Sequence, residues 1–215
     1  MRVETARAFP AHRPSAIPGG RASRLLLLGS CALLAGAPLR SVATDWPHWR
    51  GPRFDGTTDE RSLPTTWTLT ENVAWVADLP GPGAGTPIVW KDRIFVTAAD
   101  PEARELLALA FDSRTGKELW RRVVSKGEIA RTERSNYASP SPTTDGEVVV
   151  FFYGNGELAA FDLDGKELWK RNIQSDFGEF AFLWTFSSSP LLLGGKVYLQ
   201  VLQRDVPVDG RGFED

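Results

Sequence analysis

The sequence predicts an all-β fold built from repeated four-stranded antiparallel units, and three observations carry that expectation. The segment Ala110-Phe-Asp-Ser-Arg-Thr-Gly-Lys-Glu-Leu-Trp120 returns, one residue shorter, as Ala160-Phe-Asp-Leu-Asp-Gly-Lys-Glu-Leu-Trp169. The tryptophans ending these motifs lie 49 residues apart, and Trp75 lies 45 residues before Trp120. Past residue 43 the chain is a succession of short β-rich runs cut by Gly, Asp, Asn and Pro, with no sustained helical period. A period of about 45 to 50 residues, too small to bury its own core, marks a stacked or circular array. Four strands per period is the pattern of a β-propeller blade.

The elements follow in order. Residues 1–43 read as a signal peptide: Arg2, Arg7, Arg13, Arg21 and Arg24 form a basic leader, Leu25 to Leu34 an apolar run, and Ser41-Val42-Ala43 a small-residue cleavage site. The run is shorter than the roughly 20 residues a membrane-spanning helix needs. Leu28-Gly-Ser-Cys31 also resembles a lipobox, so a lipid anchor at Cys31 stands beside simple cleavage. Either reading exports the protein to the periplasm or beyond. Cleavage past Cys31, the single cysteine, leaves a mature chain without disulfide or thiol chemistry.

Residues 44–71 are a Trp/Pro/Gly-rich N-terminal segment. Residues 72–79 read as an orphan outer strand carrying Trp75, with no first three strands upstream; in a closed ring it completes the last blade. Residues 84–124 form a blade with strands Thr86 to Trp90, Arg93 to Thr97, Leu106 to Asp112 and Lys117 to Arg121. Residues 137–171 form the next, with strands Ala138 to Thr143, Glu147 to Tyr153, Glu157 to Asp162 and Lys166 to Lys170. Its Asp-Gly and Asn-Gly pairs supply the positive φ angles of tight hairpins. Residues 186–215 begin a further blade, Ser188 to Leu193 and Lys196 to Val201, that stops without its outer strands or tryptophan. The expectation is a partial ring of about two and a half blades plus the orphan strand, a piece of a longer protein.

Composition narrows the function. A net charge of -2 over 215 residues gives no basic footprint for nucleic acid. Eight tryptophans and twelve phenylalanines against one methionine point to an aromatic, sheet-rich core.

The paired motif, Ala-Phe-Asp followed after two or three residues by Gly-Lys-Glu-Leu-Trp, resembles the tryptophan-docking repeat of pyrroloquinoline-quinone-like (PQQ-like) β-propellers. Asp45-Trp-Pro-His-Trp-Arg-Gly-Pro52 and Tyr137-Ala-Ser-Pro-Ser-Pro-Thr-Thr-Asp-Gly146 are similar to segments of exported bacterial members. The resemblance implies a ring of about seven or eight blades in the periplasm or cell envelope. It does not imply the quinone, because many such propellers bind none. In the motif, each of Trp75, Trp120 and Trp169 is expected to pack flat on the neighbouring blade and donate its indole N–H to a carbonyl. The aspartate is expected to accept turn N–H groups.

Chemistry is sparse. A quinone dehydrogenase needs a carboxylate and a Ca²⁺ held by oxygen ligands. The nearest oxygen pair, Asp162-Leu-Asp164, sits in a hairpin turn. His12 and His48 have no second metal ligand or triad partner in sight, and Ser187-Ser-Ser-Pro190 lacks a nucleophile elbow. No catalytic residue, metal ligand or cofactor is assigned. The suggestive positions are two long connectors, Ser125 to Tyr137 and Asn172 to Thr185, which carry Arg131, Arg134, Asn136 and Tyr137, then Glu179, Phe180 and Trp184. Connectors of this type fall on one end of a propeller. Arg134, Asn136, Tyr137, Glu179 and Trp184 are therefore the candidate ligand-binding residues. The expected function is a non-catalytic binding or assembly module with an envelope protein or glycan partner. The alternative is a piece of a PQQ-dependent dehydrogenase whose quinone and Ca²⁺ are held by other blades.

Overall fold

The computed structural model describes residues 44–61, 63–129, 135–180 and 185–201. The chain divides into two units, Met1–Val42 and Ala43–Asp215. Residues 1–43 with Cys31, the candidates Arg134 and Trp184, and residues 202–215 of the incomplete blade lie outside the described residues.

The expected all-β architecture is present. Strands β1 (Ile88–Trp90), β2 (Arg93–Asp100), β3 (Glu105–Asp112) and β4 (Glu118–Lys126) form one antiparallel sheet in sequential order. Strands β5 (Thr143–Thr144), β6 (Val148–Phe152), β7 (Glu157–Asp162) and β8 (Glu167–Asn172) form a second of the same order. A two-stranded hairpin, β9 (Leu191–Leu193) and β10 (Lys196–Tyr198), begins a third. Residues 72–79 belong to no strand among the described residues.

The inner strands start later than the residue pattern predicts, and proline is the reason. β1 follows Pro87, β5 follows Pro142 and β9 follows Pro190. A proline has no N–H for the ladder, so pairing begins one residue after it. This shortens the expected strand Ala138 to Thr143 to a two-residue β5. The outer strand β4 runs beyond the expected Arg121 to Lys126, which trims the first connector. The second connector is not all loop: α1 (Ile173–Phe177) is a single turn of helix. Asn172 caps it, its Oδ1 accepting the Ser175 N–H at 3.1 Å. Five residues are too few for a helical period to show in the sequence.

Alternation along the strands divides each blade between two cores. From β2, Phe95 and Ala99 join Ala108, Ala110 and Trp120 and meet Val149, Phe151, Ala159 and Phe161 of the next sheet. Val96 and Ala98 face the other way, with Leu107, Leu109 and Phe111, and meet Ala77 from the preceding segment. In the second sheet Val150, Phe152, Leu158 and Ala160 turn towards Phe180, Phe186 and the third hairpin. Because both faces of β2, β3, β6 and β7 are covered, their sequences are nearly continuous apolar runs. Each buried Phe or Leu contributes about 1.5–3 kcal/mol.

The motif also encodes a bulge. Ala110 pairs with Trp120 but Phe111 pairs with Glu118, leaving Leu119 as the extra residue; Ala160, Trp169, Phe161, Glu167 and Leu168 repeat this. A bulge re-aims the following side chain and deepens the local twist. Here the re-aimed side chain is the tryptophan.

The N-terminal segment is not detached from the sheets. Trp46 exchanges two backbone hydrogen bonds with Val89 of β1, at 2.8 and 2.9 Å, and the Thr144 N–H of β5 donates to the Pro47 carbonyl at 2.9 Å. The segment therefore lies along the innermost strands of both blades.

Candidate functional site

Two of the three expected tryptophans, Trp75 and Trp120, lie on a following turn, and Trp169 has no such contact among the described residues. The indole N–H of Trp120 donates to the Leu163 carbonyl of the next blade at 3.0 Å, and that of Trp75 to the Ser113 carbonyl at 2.9 Å. Both acceptors are the residue just after the motif aspartate. Each ring lies on a turn glycine: a Cβ on Gly165 would sit 2.7 Å from Trp120, and one on Gly116 would sit 2.5 Å from Trp75. Both glycines have positive φ, 82° and 70°. Close approach and backbone conformation thus each demand glycine. Although residues 72–79 form no ladder, Trp75 occupies the docking position of an outer-strand tryptophan. Arg122 reinforces the staple, with its Nε–H donating to the Gly165 carbonyl at 2.6 Å and its guanidinium 5.8 Å from the Trp120 ring.

The aspartates close their own turns. Asp112 Oδ1 accepts the backbone N–H groups of Arg114 and Thr115 and the Thr115 hydroxyl, at 3.2, 2.7 and 2.6 Å. The Thr115 hydroxyl leads, and its backbone N–H follows, in holding the Asp112 carboxyl below the usual carboxylate range. Asp162 Oδ1 accepts from Asp164 and Lys166. Asp164 itself pairs with Arg93 at 2.7 Å, joining the two blades. The Asp162/Asp164 pair is committed to the turn and the blade junction. Among the described residues no group of three His, Cys, Asp or Glu side chains is placed to hold a metal ion.

At the opposite end, the segments that lead into the inner strands repeat a contact that the sequence reading missed. The Thr86 N–H donates to Ser141 Oγ at 2.8 Å, and the Ser141 N–H donates to Ser189 Oγ at 3.0 Å. Each of these residues precedes the proline that opens its inner strand. The recurrence of Thr86-Pro87, Ser141-Pro142 and Ser189-Pro190 was the available signal. Thr97, buried in β2, directs its hydroxyl to the Ala138 and Pro140 carbonyls at 2.9 and 3.1 Å. Ser135 and Thr185, one from each long connector, share a hydrogen bond. The connectors therefore meet at one end of the blades, beside the β6–β7 turn.

The candidates on that end differ in what they offer. Asn136 is buried, its Oδ1 accepting the Ala138 N–H at 2.8 Å and its Nδ2 donating to the Pro82 carbonyl at 3.3 Å. Its side chain positions the connector. Tyr137 is half-buried against the inter-blade core, and its carbonyl accepts the Gly154 N–H. Glu179 is exposed. Phe180 packs on Phe186 and Phe152 and is core. Tyr153 is fully buried in the inter-blade core, its hydroxyl has no partner among the described residues, and burial pushes its phenol well above the usual value.

The family model described as outer membrane protein assembly factor BamB matches residues 57–205. The chain belongs to this PQQ-like repeat family. No curated protein matches the chain. Among solved structures, the chain is similar to the quinohemoprotein alcohol dehydrogenase from Comamonas testosteroni, at 24% identity and a TM-score of 0.39, covering 54% of this chain and 17% of that one. It is also similar to a europium-containing methanol dehydrogenase, at 20% identity and a TM-score of 0.42, covering 57% and 20%. The third is BamB from Moraxella catarrhalis, at 14% identity and a TM-score of 0.31, covering 55% and 41%. The chain thus spans less than half the length of each of these structures. Among the described residues no helix is long and apolar enough to cross a membrane.

Proposed function

We propose that this BamB-family chain is part of an exported, non-catalytic binding or assembly module of the cell envelope. The observation that carries the reading is how the repeat's polar groups are used. The indole N–H groups of Trp75 and Trp120, and the carboxylates of Asp112 and Asp162, are committed to joining blades and closing turns. What remains for recognition is the connector end, where Tyr137 and Glu179 sit on a framework fixed by Asn136, Thr97 and the Ser/Thr–Pro contacts. By sequence, Arg134 and Trp184 belong to the same connectors. Loops on a rigid scaffold are the usual carriers of binding function. An aromatic, a carboxylate and a guanidinium suit a polar partner such as a protein loop or a glycan.

Photo-crosslinkers at positions 137 and 179, in cells making the full-length protein, test this reading. The expected result is a discrete adduct lost on Glu179→Ala or Trp184→Ala. Absence of adducts from both positions, together with dye reduction by the protein reconstituted with PQQ and Ca²⁺, would replace it with the dehydrogenase reading.

A further inference from the structure

We infer that residues 45–54 form a pH-sensitive strap across the two innermost strands, whose own turn is held by a histidine that keeps its place only while neutral. The strap is fastened by four bonds of its neighbours. Trp46 pairs twice with Val89, the Thr144 N–H donates to the Pro47 carbonyl, and the Lys91 N–H donates to Asp45 Oδ1 at 2.6 Å. These contacts fall at the ends of β1 and β5 that lead into the β1–β2 and β5–β6 turns. That end is opposite the connectors, so the strap and the proposed binding face are separate features.

His48 is the pivot of the strap. It is 4% exposed and stacks on Phe54 with centroids 3.9 Å apart and planes 23° apart. Its Nδ1 accepts the Arg50 N–H at 3.1 Å, and its carbonyl accepts the Gly51 N–H at 2.8 Å, closing the turn. An imidazole nitrogen that accepts must carry a lone pair, so the neutral ring bears its proton on Nε2. Nε2 is buried with no hydrogen-bond partner among the described residues. A second proton would land on Nδ1, opposing one donor to another across 3.1 Å. It would also place a positive charge in a buried stack beside Arg50.

The surrounding charges do not relieve this. Asp45 is bonded to Lys91, Asp55 to Thr57, and Asp145, in the β5–β6 turn, to the Glu147 and Val148 N–H groups. Arg53 pairs with Asp59 and Asp55. Glu147 is exposed on the β5–β6 turn, and Lys91 flanks the strap on the β1–β2 turn. Glu60 accepts the N–H and hydroxyl of Thr44 at the start of the strap, and the charge that acts on the imidazole is that of Arg50. Burial first, and Arg50 second, hold its pKa below the ordinary 6.5. The docked strap therefore binds fewer protons than the released one. Its stabilisation is complete above pH 6.5 and is lost as pH falls from there through the depressed value.

Histidine-selective NMR of the full-length protein, with the His48 resonances assigned by sequential connectivity, tests the tautomer directly. Hydrogen exchange between pH 7.5 and 5, corrected for intrinsic rates, tests the release. The expected results are an Nε2–H tautomer at neutral pH and a several-fold loss of protection in the strap and β1. Protection of β6 and β7 should stay unchanged. In His48→Phe, which keeps the stack and removes the titration, the acid step should vanish while the strap stays docked. An Nδ1–H tautomer, a protection profile indifferent to pH, or an acid step surviving in His48→Phe would each overturn the inference. Should His48→Phe not fold, the wild-type tautomer and exchange profile still decide it.

Discussion

Trp120 and Trp169 end two copies of one motif, pair with equivalent alanines and follow equivalent bulges, yet Trp120 is 7% exposed and Trp169 is 37% exposed. The difference is not in the strands that carry them. Trp120 has the Gly165 turn to lie on, the Leu163 carbonyl to bond, and Phe95, Phe151 and Phe161 around it. No glycine turn lies against Trp169 among the described residues. A docking motif is thus only half an interface. Its energy is realised by the neighbouring blade, as in repeat proteins whose stability resides in nearest-neighbour contacts.

The largest expected effect follows from that contrast. Trp120→Ala should lower unfolding free energy by about 3–5 kcal/mol, the usual range for emptying a buried aromatic site. In the 215-residue chain, where the next blade's outer turn lies outside the described residues, Trp169→Ala should cost under about 1 kcal/mol, as surface substitutions do. Urea titrations followed by circular dichroism measure both, and equal losses would mean that the two indoles are packed alike.

An intermediate effect is expected at the receiving glycines. Gly165→Ala meets both the Trp120 ring at 2.7 Å and a φ of 82°. Together these should destabilise by about 2–4 kcal/mol through overpacking and left-handed strain. Gly194, with a φ of 58° and nothing within 4 Å, carries the strain alone. Gly194→Ala should cost about 1–2 kcal/mol. Thermal melts of the pair separate the docking contribution from the turn contribution.

The smallest effect distinguishes the two motif aspartates. The longer first turn gives Asp112 a threonine hydroxyl that the shorter second turn does not provide for Asp162. Because the folded Asp112 carboxyl is lowered, its stabilisation is present above the ordinary carboxylate range and lost as pH falls through the lowered value. Asp112→Asn should flatten the acid limb of the stability profile. Melting temperature measured from pH 6 to pH 3 checks this, and an unchanged limb would remove the hydroxyl's role.

Much of this was legible in the residues. Gly116, Gly165 and the two aspartates announce hairpins, and the tryptophan spacing announces the blades. The inner strand boundaries were not read correctly, although Pro87, Pro142 and Pro190 hold the information in their missing N–H groups. Asn136 looked available for a ligand, but both ends of its amide are taken by carbonyl and N–H groups, one of them 54 residues away. His48 looked like an isolated histidine between tryptophans. Its stacking and hydrogen bond come from residues close in sequence, yet its burial comes with a strap whose anchors, Val89 and Thr144, are remote.

The sequence by itself determined the repeat, the turn chemistry and the side chains offered at each blade junction, because these depend on local periodicity and on φ angles that only certain residues adopt. The tertiary structure alone decided which of those offers are met. Whether an indole is sealed, an amide is consumed or an imidazole is kept neutral depends on the chain that arrives against it.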